Sequence, residues 1–278
     1  MALIKPEIYS SLVREKVSGK VKILQLAKEL ENIDEFREVG ETINFPVWKY
    51  IGDAETLASK GTITPVELQQ EDSQAVVTHV AKGVTVYDRE NLTALGDQIE
   101  EGADQLATSI ARKLDTDLIT EVNDNVVMLS PTAGATAITE DELFDALGLF
   151  GDMNDTELFQ GIVVNSKLMK SFYGMPSFVS TTSTMSAQGN GIPSNGLFGY
   201  FRGIPVYVAD HGTYDSTASE CITYILQVGA LGYKRKRDIF IEEQRVAGQK
   251  KTDIFADMLY AVKLLDPSKL VVARKTVA

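Results

Sequence analysis

The sequence predicts an α+β fold organised around one long helix. Three observations carry this reading: a helical stripe from Asn91 to Asp124, two β-rich runs before it, and short strands mixed with short helices after it. In the stripe, Leu92, Leu95, Ile99, Ala103, Leu106, Ile110, Leu114, Leu118 and Val122 recur three or four residues apart. That is the repeat of a single buried face on a helix of 3.6 residues per turn. Asp97, Glu100, Glu101, Asp104, Gln105, Arg112, Lys113 and Asp117 fill the other faces. At about 1.5 Å per residue the helix is roughly 50 Å long, well beyond the average of about 11 to 12 residues, so other layers are expected to pack against it. Asp88 or Asn91 is placed to cap its start. Gly102, which costs about 1 kcal/mol against Ala in a helix, marks a bend or a close packing contact.

Ahead of the helix, Ile8 to Asn32 reads as weakly helical, interrupted by Gly19 and rich in lysine. It is either an N-terminal arm, bounded at residues 1–42, or an amphipathic helix on the protein's own core. Ile43 to Ile51 alternates, with Ile43, Phe45, Val47 and Ile51 on one side and Asn44, Pro46, Trp48 and Tyr50 on the other, as a half-exposed strand does. Pro46 lacks an amide donor and prefers an edge. Ala75 to Tyr87 is a second β-rich run, and the two are expected to pair as an antiparallel ribbon within residues 43–90. Their connector, Gly52 to Gln74, is far longer than the two to five residues of a usual hairpin turn and carries Asp53, Glu55, Lys60, Glu67 and Glu71. A two-stranded ribbon with a long polar tip is marginal alone in water. Either it projects and is ordered by another subunit, or it lies on its own domain under a loose loop.

After the helix, Pro131 and Gly134 break the periodicity, so residues 91–138 form one unit and 139–235 the next. Thr139-Glu140-Asp141-Glu142 has the capping-box pattern ahead of Leu143, Phe144, Leu147 and Phe150. Phe159 to Asn165 is a short buried strand, and Ser166 is expected to cap a helix ending near Gly174. Ser177 to Gly196 is rich in Ser, Thr, Gly and Asn and reads as a surface loop. Gly199 to Ala209 reads as strand, turn at Arg202-Gly203, strand. Cys221 to Val228, Ile239 to Glu243, Leu259 to Leu265 and Leu270 to Ala273 add further strands, so the chain closes as β. No fixed-period repeat is visible.

A chain of 278 residues with 44% hydrophobic and 24% charged residues can bury a real core, as one large or two intimate domains. The formal charge is −12 and the pI about 4.7, which makes a soluble, self-repelling surface and argues against sequence-wide binding to nucleic acid. An acidic container for nucleic acid fits that charge, because its wall does not stick to its contents. Cys221 is the only cysteine, so neither an intrachain disulfide nor a thiolate zinc cage is available. Met1 to Tyr9 lacks the apolar core of a signal peptide, and no uncharged apolar run approaches the roughly 18 residues that span a bilayer. The expectation is a soluble protein made in a cytoplasm.

Few residues carry a chemical signal. His79 falls in an expected strand and His211 in a turn, without the spacing of paired metal ligands. Cys221 opens an apolar strand, where a buried inert thiol is the usual outcome. Gly189-Asn190-Gly191 lacks the third glycine and the strand–helix context of a dinucleotide loop. No Walker A lysine or GxSxG elbow is present, so neither an active site nor a cofactor is expected. Lys234-Arg235-Lys236-Arg237 is the sharpest charge cluster in an acidic chain. Without interleaved aromatics it suits a solvated strand end or ion pairs between subunits better than a nucleic-acid patch.

The order of these pieces resembles the tailed-bacteriophage major capsid protein family, with its Hong Kong 97-like fold. The resemblance runs over nearly the whole chain and rests on four phrases: Phe45-Pro46-Val47-Trp48-Lys49-Tyr50-Ile51-Gly52, Ala81-Lys82-Gly83-Val84-Thr85-Val86-Tyr87-Asp88, Gly199-Tyr200-Phe201-Arg202-Gly203-Ile204-Pro205-Val206 and Tyr260-Ala261-Val262-Lys263-Leu264-Leu265-Asp266-Pro267. It implies an N-terminal arm, an extended loop, a spine helix in a peripheral domain, and an axial domain near the capsomer centre. It further implies a shell subunit forming hexamers and pentamers that close into an icosahedron around double-stranded DNA, found in the virion and assembled in the host cytoplasm.

By position, Gly52 to Gln74, with Asp53, Glu55, Lys60, Glu67 and Glu71, would be the tip lying over a neighbouring subunit. Some relatives crosslink a lysine of the extended loop to a distant asparagine; Lys60 is a candidate for that lysine by position only, and no local feature supports the reaction. Only about 40 residues precede the first strand, so a separate scaffolding protein is expected, with a portal protein and no membrane partner. Two other readings are a nanocompartment shell that encloses a cargo enzyme, and an α+β enzyme that uses unassigned carboxylates.

Overall fold

A computed structural model of the chain describes residues 6–30, 42–54, 56–57, 62–93, 98–133, 137–180 and 196–276. Helix α1 (Pro6–Lys20) leads through a 3-10 turn to β1 (Lys28–Glu29), followed by β2 (Thr42–Trp48), β3 (Gln70–Val76) and β4 (Thr78–Tyr87). Next come α2 (Asp88–Thr93), α3 (Gln98–Asn125), β5 (Met128–Ala133), α4 (Glu140–Gly148), β6 (Phe159–Val164), α5 (Met169–Tyr173) and β7 (Phe178–Ser180). The chain closes with β8 (Leu197–Phe201), β9 (Ile204–Val208), β10 (Tyr214–Asp215), β11 (Glu220–Gln227), β12 (Leu231–Val246), β13 (Lys251–Leu264) and β14 (Leu270–Thr276).

The long helix is α3. Ala103, Leu106, Ile110, Leu114, Leu118 and Val122 are all buried on one stripe, as their spacing predicts, and Ala107, Ala111 and Ile119 widen it. The helix expected from Asn91 is described as α2 and α3, and residues 94–97 between them, with Leu95 and Asp97, lie outside the described residues. Asp88 opens α2, and its carboxylate takes a bidentate contact from the Arg245 guanidinium at 2.5 and 2.6 Å. At Gly102 a Cβ would lie 3.4 Å from the Tyr9 hydroxyl and 3.5 Å from Val84 Cγ1, ordinary contact distances that do not by themselves require glycine.

Helix α1 lies against α3 and buries Tyr9, Val13 and Val17 in the core that α3 organises. Its end is fixed by Asp115 of α3, whose buried carboxylate accepts from the amides of Lys22 and Ile23, each at 3.0 Å, and of Leu24 at 3.4 Å. Of the two readings of the N-terminal stretch, the helix on the protein's own core describes residues 6–20. The other wall of this core is a four-stranded sheet ordered β1-β12-β13-β4, into which Ile254, Ala256, Met258 and Tyr260 of β13 project.

The second core lies between α4, α5 and one face of a larger sheet ordered β5-β14-β11-β6-β9-β8-β7, with β10 on β11. The capping box forms: Thr139 Oγ1 accepts from the Glu142 amide, and Glu142 Oε2 accepts from the Thr139 amide at 2.8 Å. Arg202 and Gly203 turn β8 into β9 with φ of 48° and 86°, the two left-handed residues that a tight hairpin turn requires.

Two local expectations are corrected. Asn165, not Ser166, caps the turn before α5, its Oδ1 accepting from the Lys167 amide at 3.0 Å. The loop expected from Ser177 begins with the edge strand β7, and residues 181–195 lie outside the described residues.

Candidate assembly surface

The expected ribbon is present, with a shifted second strand. β2 pairs antiparallel with β3 from Thr42↔Val76 to Trp48↔Gln70, and no third strand joins it among the described residues. The run Ala75 to Tyr87, expected as one strand, divides at Val77: its first residues end β3, and the rest is β4, which pairs with β13 from Tyr87↔Lys251 to Thr78↔Tyr260. The alternation of β2 is real. Ile43 and Phe45 are buried, with Ala75, against Ala261 of β13, while Asn44, Pro46 and Trp48 face solvent.

Only this base is anchored. Beyond it Trp48, Tyr50, Ile51, Leu57, Ile63, Val66 and Leu68 are all exposed, Tyr50 at 79% and Ile63 at 74%. Surface apolar residues scattered singly need no explanation, but seven on one ribbon and its connector make a concentration of exposed apolar side chains.

The acidic tip residues take local partners. Asp53 accepts from the Tyr50 hydroxyl at 2.5 Å, and that hydrogen bond holds the tyrosine pKa above its ordinary value. Glu71 meets Lys49 Nζ at 3.2 Å across the ribbon, and Glu67 is exposed. Glu55 and Lys60 lie outside the described residues. Sequence reasoning selected the tip's charges and passed over its apolar members. Ile63, Val66 and Leu68, spaced through a polar connector, were the signal available.

The basic run lies inside β12, at a bulge where Arg235 opposes Tyr260 and Arg237 opposes Leu259. A bulge re-aims side chains, and Arg235 and Arg237 reach carboxylates of their own chain. Arg235 Nη2 lies 2.5 Å from Glu29 Oε1, and Arg237 pairs with Asp257, which also meets His79 Nε2 at 2.8 Å. Lys234 is half-buried and Lys236 exposed.

The groups weighed for chemistry are dispersed. His79 sits on the outer side of the four-stranded sheet, and His211 lines a cavity between α1, α3 and the end of β9. Cys221 is buried in β11, where burial pushes its thiol pKa up and keeps it unreactive. Gly189-Asn190-Gly191 lies outside the described residues. Among the described residues, no three His, Cys, Asp or Glu side chains converge as metal ligands, and no helix is long and apolar enough to cross a membrane.

A long helix laid on a sheet, a two-stranded ribbon and a second mixed α/β layer make up the described architecture. The same fold occurs in a solved chain of Mycobacterium phage Che8, with a TM-score of 0.63 and 14% identity over 90% of each chain. It occurs again in the capsid of the cyanophage P-SCSP1u, with a TM-score of 0.64 and 15% identity over 93% of this chain and 89% of that one. This is the Hong Kong 97-like fold. The major capsid protein of Staphylococcus phage phiMR11 is 25% identical over 276 residues, covering 96% of this chain and 92% of the relative. A family profile described as "Phage capsid protein" matches residues 70–273. The chain belongs to the phage capsid protein family. That membership favours a viral shell over a cargo-enclosing compartment.

Proposed function

We propose that this protein is the major capsid protein of a tailed phage, whose copies form hexamers and pentamers and close an icosahedral shell around double-stranded DNA. Family membership supports the shell role, and one observation carries the mechanism: the ribbon's exposed apolar side chains have no cover in their own chain among the described residues. Laid over a neighbouring subunit, the tip with Asp53, Glu55, Lys60, Glu67 and Glu71 gains the apolar burial that a lone two-stranded ribbon lacks. With α1 packed on α3 and β4 in the four-stranded sheet, the β2–β3 ribbon and its connector then act as the extended loop, 91–138 with 236–278 as peripheral unit, and 139–235 as axial unit. Lys234 to Arg237 lie where a neighbour's carboxylates could extend the ion pairs already made.

The role is structural rather than catalytic, in accord with a capsid family. A net charge of −12 suits a wall that encloses DNA without reading its sequence. Separate scaffolding and portal proteins complete the particle, which is assembled in the host cytoplasm and persists as the virion.

Deleting Leu57 to Glu67 is the direct test. The variant should stay soluble with unchanged thermal unfolding and fail to form closed shells by electron microscopy and sedimentation. Loss of folding would assign the loop to the subunit's own core, and shells at wild-type yield would remove the ribbon from assembly; either result overturns the mechanism.

A further inference from the structure

The two ends of α4 present complementary surfaces that the ribbon contact does not use. Beyond the C-terminal end, Gly151 takes φ of 62° and the chain turns back with Met153 exposed at 60% between two exposed acids, Asp152 and Asp155. This loop is held in place. The Met153 amide donates to the Phe150 carbonyl at 3.3 Å, Asn154 Nδ2 donates to the Gly151 carbonyl at 2.7 Å, and the Met153 carbonyl accepts from the buried Gln227 side chain at 2.7 Å. An ordered turn that displays an apolar side chain between two carboxylates is a preformed plug.

At the N-terminal end of the same helix lies a cavity of about 540 Å³. Ile138 and Met175 form its buried floor, and Lys167 and Lys170 are exposed on its rim. The Lys167 ammonium packs over the Tyr214 ring, 3.5 Å from its centroid, which fixes the rim charge in place. Glu140, the acid on this rim, accepts from the Ser177 hydroxyl, so one oxygen of its charge is already engaged within the chain.

We propose that the Gly151–Asp155 loop of one copy seats in this cavity of the next copy, with Met153 on Ile138 and Met175 and with Asp152 and Asp155 facing Lys167 and Lys170. Plug and socket are different patches at opposite ends of one nine-residue helix, so the contact is head-to-tail. Repeated by rotation, such a contact closes a ring. The inference rests on the shell reading and adds to it a contact within the ring that leaves the ribbon free.

Cys221, the only cysteine, is buried, so introduced cysteines supply the only accessible thiols. Met153→Cys chains co-assembled with Ser171→Cys chains and treated with a short bismaleimide should yield a covalent dimer that neither variant yields alone. Shells that form without this dimer overturn the contact and leave the shell role standing, whereas a wild-type chain that forms no shell overturns both. Charge exchange supplies a second readout. Asp152→Lys with Asp155→Lys, and separately Lys167→Glu with Lys170→Glu, should each lower shell yield about tenfold, and all four together should restore it. Failure of the combination to recover, with each chain folded by circular dichroism, overturns the pairing.

Discussion

Glu142 ties a helix start to a distant strand. It completes the capping box with Thr139, and its Oε1 lies 2.5 Å from the ammonium of Lys275, which is almost fully buried in β14. Burial alone pushes the Glu142 pKa up, but Lys275 and the Thr139 amide outweigh it and hold the carboxyl below its ordinary value. A carboxyl whose pKa is lower in the fold than in the unfolded chain stabilises the fold above the unfolded value, and that contribution fades as pH falls through the folded one. Glu142→Gln should therefore cost about 1–3 kcal/mol at neutral pH by leaving a buried ammonium without its counter-charge. It should also flatten the acid limb of stability, measured by urea unfolding across pH; an unchanged limb would remove Glu142 from that account. Asp115 has the opposite sign. Burial raises its pKa despite three amide donors, so its contribution weakens as pH rises through the folded value. The capping box was readable because its partners are three residues apart. Lys275, 133 residues from Glu142, was not, because no local pattern connects them.

At the scale of elements, α3 bears the first core, and Leu114 at its centre is completely buried. Leu114→Ala should destabilise the subunit by about 2–5 kcal/mol, the lost transfer energy plus the cavity left behind, measured by chemical denaturation. A cost under about 1 kcal/mol would mean the core collapses to fill the gap. The helical stripe was legible because a 3.6-residue repeat reports which face is buried. It could not report against what, and α1, β4 and β13 all share that face. The long strands were harder to see. β12 and β13 run 16 and 14 residues, yet only fragments near Ile239 and Leu259 stood out. Over much of their length each buries alternate residues, so charges such as Asp253, Asp257 and Arg237 interrupt the apolar run without interrupting the strand. The split of Ala75 to Tyr87 escaped for a related reason: composition is β-rich on both sides of Val77, and only the change of partner from β2 to β13 divides it.

For the whole molecule, the ribbon sets the behaviour. Trp48 is the only tryptophan, exposed at 63% just past the anchored base, so its fluorescence reports on the ribbon alone. On assembly its emission should move to shorter wavelength as a neighbour covers it; emission unchanged in closed shells would show that the ribbon stays in water. The sequence by itself determined the elements whose patterns are local: the buried stripe of α3, the alternation of β2, the capping box of α4 and the hairpin turn at Arg202-Gly203. It also determined, through the order of those elements and four short phrases, the shell family to which they belong. Only the tertiary structure decided that β3 rather than β4 completes the ribbon, that Arg235 and Arg237 pair within the chain, and that the tip's apolar side chains stay uncovered. Local patterns follow from the geometry of one backbone segment, whereas pairing and exposure depend on which distant surfaces compete for the same face.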